Sequence, residues 1–109
     1  MDEIIFQVAS TVGGYFVRLR RQTWLNHERR RPEIVGQVDN VAECITAPHV
    51  VVRSEDGCDH YYRLGHGSGK TANCYLHVLV RDKGDEHVVA SVWFTPELEE
   101  GGTIWLRMP

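Results

Sequence analysis

The sequence predicts an α+β fold, with an N-terminal β-hairpin and two helices packed on one face of an antiparallel meander sheet. Three observations carry this. Two β-rich runs flank a Gly-Gly turn near the start of the chain. Apolar residues then recur at spacings of three and four between Ile34 and Ile45. After Pro48 the pattern changes to β-rich runs joined by short turns.

The hairpin strands are 4–9 (I-I-F-Q-V-A) and 15–20 (Y-F-V-R-L-R), and the glycines of S-T-V-G-G are free to take φ > 0. Thr23 is the expected N-cap of a short helix over 24–31. Pro32 ends that helix and suits the first turn of a second, over 32–46, where Glu33 meets the favourable end of the helix dipole. Its buried stripe is Ile34, Val38, Val41 or Ala42, and Ile45, and Ala47-Pro48 closes it. Strands are expected at 49–53, 60–64, 74–81 and 87–94, with a short last strand at 103–106.

Alternation sorts the strand faces. Leu76, Val78 and Val80 share one face of 74–81, and Val88, Ala90, Val92 and Phe94 share one face of 87–94. The helices are expected on that side. The other side then carries Tyr75, His77, Ser91, Trp93 and one of Tyr61 and Tyr62. Such a face either binds a ligand or is a partly covered second face.

A chain of 109 residues suits one domain, 1–109. Its 42% hydrophobic and 25% charged content is that of a globular protein, not a disordered one. The net charge of −3 argues against a molecule that attracts nucleic acid over its whole surface. Six of the twelve basic residues nevertheless fall between Arg18 and Arg31, so a local basic patch is expected. Three cysteines without CxxC spacing, and acids where a targeting peptide carries bases, lead to an expected cytoplasmic location. No apolar run approaches the ~18 residues of a membrane span.

Chemistry-bearing residues gather in a few places. In W-L-N-H-E-R-R-R-P-E, Trp24 and His27 lie three apart on one helix face, beside Arg29, Arg30 and Arg31. The stretch reads as a proton-transfer group with a phosphate-sized charge, or as a solvated helix end. Arg63, in Y-Y-R on a strand, needs an anion: Glu33 as a structural partner, or a substrate phosphate. Ser91 and Thr95 offer hydroxyls to a neighbouring strand or to a phosphate. Cys58, His60, His66, Cys74 and His77 match no zinc spacing, and no cofactor is expected. G-H-G-S-G-K-T puts Leu64 where a phosphate loop needs its first glycine.

In their order, W…R-R-P-E, then T-A-P-H-V-V-V, Y-Y-R, Y-L-H-V-L-V and V-V-A-S-V-W-F-T, these stretches resemble the phage-associated nuclease domains grouped with barnase, EndoU, the tRNase colicins and RelE. The likeness runs over roughly residues 6 to 106. It implies metal-independent cleavage of RNA, tRNA included, with the ribose 2′-OH as nucleophile. By position it implies His27 as base or acid, Tyr62 as a stacking or proton-donating group, Arg63 as the phosphate cation and Ser91 as a phosphate ligand. Arg30, Arg31, Tyr61 and Thr95 are expected around the substrate, and His77, on the second sheet face, is the substitute candidate for His27. An antitoxin or immunity protein is the implied partner. A catalytically inactive module of the same fold, binding RNA or protein, is the alternative. Self-association through a sheet edge, or through Trp93 and Trp105, is a third expectation.

Overall fold

The structure, a computed structural model, describes residues 2–106. Its strands are β1 (Ile4–Ala9), β2 (Phe16–Arg20), β3 (Val50–Arg53), β4 (Asp59–Arg63), β5 (Tyr75–Asp82), β6 (His87–Thr95) and β7 (Gly102–Leu106). They form one sheet in the order β1-β2-β6-β5-β4-β3-β7. Each lies within one residue of its expected span. The meander from β3 to β6 is antiparallel, and β7 returns to pair with β3. The hairpin extends the same sheet, because β2 lies parallel to β6 through Val17↔His87 and Arg18↔Val88.

The helices are α1 (Arg21–Arg30) and α2 (Val38–Thr46). α1 begins three residues before the expected start, and Thr23 is not its cap. β2 runs directly into the helix, so acceptors come from elsewhere: the Glu3 carbonyl takes the Arg21 N–H at 2.8 Å and the Asp2 carboxylate takes the Gln22 N–H at 2.9 Å. The expected helix 32–46 is divided into a 3₁₀ turn, Pro32–Ile34, and α2. Gly36 lies between them at φ +81°, which a right-handed helix cannot accommodate. The apolar stripe survives the break: Ile34, Val41, Cys44 and Ile45 are fully buried.

Those side chains pack on Val17, Leu19, Val51, Tyr61, Leu76, Val78, Val80 and Val92 across the sheet. One strand face differs from simple alternation. Leu79 pairs with Ser91 but Val80 pairs with Val89, so Ala90 is an extra residue in a β-bulge. The bulge turns Val89 into the core in place of Val88 and Ala90. Val92 and Phe94 keep the expected side.

The second face carries Val50, Val52, Tyr62 and Tyr75 beside His60, His77 and Trp93. It is not open. The connection 96–101 must pass from the end of β6 to β7 at the far side of β3, and the Glu99 N–H donates to Tyr62 Oη at 2.7 Å on the way.

A glycine substitution tests the break between the helices. A Cβ on Gly36 meets nothing within 4 Å, so its cost is purely conformational. Gly36→Ala is expected to lose about 1–2 kcal/mol in urea unfolding. Gly102→Ala, also in open space but with ordinary φ, is expected to lose none.

Candidate functional site

At the C-terminal end of α2, one carboxylate gathers two partners. Glu43 stands on the helix, Arg63 ends β4, and His66 lies in the loop that follows it. Arg63 Nε donates to Glu43 Oε1 at 2.7 Å, and Nη1 donates to the Ala47 carbonyl. That carbonyl belongs to the C-cap of α2, where a cation is favoured. His66 Nε2 lies 3.1 Å from the same Glu43 oxygen, without the alignment of a hydrogen bond. Glu43 remains 47% exposed while Arg63 and His66 are mostly covered, so the carboxylate faces solvent from a supported position. The expected partner Glu33 is replaced by Glu43, because Arg63 lies on the helix face of the sheet beneath α2.

A second group lies under the 96–101 connection. His60 Nδ1 is 2.8 Å from His77 Nε2, and His60 Nε2 is 3.1 Å from Ser54 Oγ. Ser54 donates its hydroxyl proton to Asp56. It must therefore accept from His60 Nε2–H. His60 Nδ1 is then an acceptor, and His77 carries its proton on Nε2. His77 Nδ1 is left with a lone pair that meets no partner among the described residues. The His77 ring stacks on Tyr62 at 4.3 Å and packs on Trp93 at 3.9 Å. Burial, reinforced by His60, lowers its pKa to about 3. Burial also lowers that of His60.

The third group is at the outer edge of β6. His27 is 8% exposed, between α1 and the sheet. Burial first, then the charge of Arg30, lowers its pKa; the Ala90 main chain, close enough to favour the charged ring, opposes them. Nε2 is covered and makes no hydrogen bond of good geometry among the described residues. Arg29, Arg30 and Arg31 are exposed, and the Arg31 guanidinium lies 5.5 Å above the Trp93 ring.

The residues expected to form one site are thus divided among several places. Tyr62 and His77 adjoin each other but are fully covered. Tyr61 is on the opposite face, inside the core. There its hydroxyl bonds Ser10 and, at 2.7 Å, Tyr15, which donates to Asp59 at 2.5 Å. A substrate role for Tyr61 is excluded by that position. Ser91 and Thr95 lie on the second face, with Thr95 Oγ1 engaged by the Glu97 backbone. Arg63 stands apart with Glu43 and His66. Glu43 was legible only as one more polar position on a helix, and His66 as a loop histidine; nothing local in the sequence joins them.

The buried histidine pair makes a pH prediction. Above the ordinary value of 6.5 both folded and unfolded chains hold His77 neutral. Between 6.5 and about 3 the unfolded chain binds a proton that the folded chain does not. Stability is therefore full above that window and falls as pH drops through it, by at most about 1.4 kcal/mol per pH unit from this group. Urea unfolding across the window measures the loss. Long-range ¹H–¹⁵N spectra should keep His77 as the neutral Nε2–H tautomer, and a protonated ring at mildly acidic pH would contradict the relay.

No family model matches this chain, and neither a curated protein nor a solved structure does, so its chemistry rests on its own geometry.

Proposed function

We propose that the chain is a small endoribonuclease that cleaves RNA through the ribose 2′-OH, at the cluster of Glu43, Arg63 and His66. The observation that carries this is the meeting of a carboxylate, a guanidinium and an imidazole within 3.1 Å of one oxygen, at an exposed helix end. Transesterification of RNA needs those three functions. Glu43 accepts the 2′-OH proton as the 2′-oxygen bonds to phosphorus. Arg63 balances the charge of the phosphorane. His66 gives a proton to the departing 5′-oxygen. The products are a 2′,3′-cyclic phosphate and a free 5′-OH. No step requires a metal ion. The sequence resemblance supports the same reaction, with Arg63 in the role it implies and Glu43 and His66 taking the place of His27.

A second reading has a specific observation in its favour. The bond from Arg63 to the Ala47 carbonyl ties β4 to the end of α2, a structural task. On that reading the chain is a catalytically inactive module that binds RNA or protein.

Cleavage of total RNA and of a short oligonucleotide, in EDTA, separates the two. Fragments ending in 2′,3′-cyclic phosphate are expected from the unaltered protein. Glu43→Gln and His66→Ala are each expected to slow cleavage by about 10²–10⁴-fold. Equal cleavage by all three proteins would remove this cluster from the reaction, and no cleavage by any would leave the binding module.

A further inference from the structure

We propose that the outer edge of β6 is a docking track for the backbone of single-stranded RNA, separate from the Glu43–Arg63–His66 cluster. The proposal rests on RNA being the ligand, though not on its being cut.

The track begins where the hairpin parts from the meander. The ladder between β2 and β6 stops at Arg18↔Val88. Beyond it the strands diverge around a wedge of about 240 Å³, lined by Arg20, Thr23, Arg81, Lys83, Glu86 and residues 88–90. The wedge is smaller than the roughly 300 Å³ at which pockets for organic ligands begin, and suits one small group. Three cations face one carboxylate there. Glu86 is already held by Arg18 at 3.0 Å and Arg20 at 2.9 Å. Arg81 and Lys83 are exposed and make no ion pair among the described residues. The uncommitted charge is therefore positive, and its complement is a phosphate.

The other end of the track is Trp93, five residues along β6, or about 17 Å at strand rise. The bulge at Ala90 restores its alternation, so Val88 and Trp93 point to the same sheet face. On β5 the partners of these two residues, Arg81 and His77, also share that face. Trp93 carries the Arg31 guanidinium, with exposed Arg29 and Arg30 behind it. Cations at both ends and the Ser91 hydroxyl between them make a surface that fits several linked phosphates more than it fits one small anion.

The test uses a fluorescent 2′-O-methyl RNA oligonucleotide, which lacks the nucleophile and cannot be cut, bound over a salt series. Removing two phosphate contacts with Arg81→Ala/Lys83→Ala is expected to lower the slope of log K against log salt by about 1.4, alike for all sequences. Glu86→Gln, which removes the one carboxylate lining the wedge, is expected to tighten binding, and gives a second readout should the double variant be disturbed. Lys70→Ala, in the loop before β5, serves as the control for net charge. A slope unchanged by the double variant, or changed equally by Lys70→Ala, overturns the track. A changed slope without cleavage of ordinary RNA keeps the track and removes the nuclease. Cleavage with an unchanged slope does the reverse.

Discussion

The layout depends on a short stretch of parallel pairing, Val17↔His87 and Arg18↔Val88, that joins the hairpin to the meander. Because α1 starts at Arg21, immediately after β2, the helix leaves the sheet where that ladder ends. Beyond Val88 the outer edge of β6 is then flanked by α1 and not paired by a strand, with the wedge left open between them. Trp24 and His27 face inward from α1, and Arg31 reaches around to Trp93. An uncovered strand edge invites pairing with another chain, and a helix carrying arginines there works against such pairing. The bulge at Ala90 belongs to the same arrangement: it turns Val89 inward beneath the helices, where residues 88–90 border the wedge.

The second face illustrates why a row of polar and aromatic residues is not by itself a site. Tyr62, His77 and His60 are as covered as the apolar core. They persist there because nearly every polar atom has a partner whose direction is fixed by the next. Asp56 receives the Ser54 proton, Ser54 receives from His60, and His60 receives from His77. Burying two charged rings would be costly, so both remain neutral, and stacking against Tyr62 and Trp93 replaces the lost hydration. The unpartnered His77 Nδ1 is the nitrogen nearer its own backbone, poorly placed to meet a substrate.

Strand positions were legible because alternation and turn residues are local signals. Gly36 is visible in the sequence too, but a continuous apolar stripe on both sides of it conceals the break. The bulge at Ala90 was not legible. An alternating run of small and β-branched residues reads equally well in either register, and tertiary packing of Val89 decides the matter. The same limit applied to the site. Adjacent strand residues must face opposite ways, so Tyr61 and Tyr62 could not both line one surface, yet parity alone does not say which is inside. Tyr61 went to the core because Ser10 and Tyr15 meet its hydroxyl there, with Asp59 beyond them accepting from Tyr15. Arg63, one turn of parity from Tyr62, went with it to the helix side.

An arginine already bound to a carboxylate would ordinarily be a poor candidate for holding a phosphate, and two ion pairs in this fold show where the difference lies. Asp59 is 5% exposed and receives both Nε and Nη2 of Arg53, at 2.8 and 3.2 Å, in addition to the Tyr15 hydroxyl. Exchanging that partner would strand a buried charge. Glu43 is nearly half exposed, so water could take up its lone pairs if a phosphate displaced it from Arg63. A phosphodiester carries the same single charge and offers the same paired oxygens to a guanidinium. The exchange conserves charge, and the bond from Nη1 to the Ala47 carbonyl holds the guanidinium in place while it happens. On the proposed reading the freed Glu43 carboxylate would stand beside the bound phosphodiester, where a base for the 2′-OH has to be.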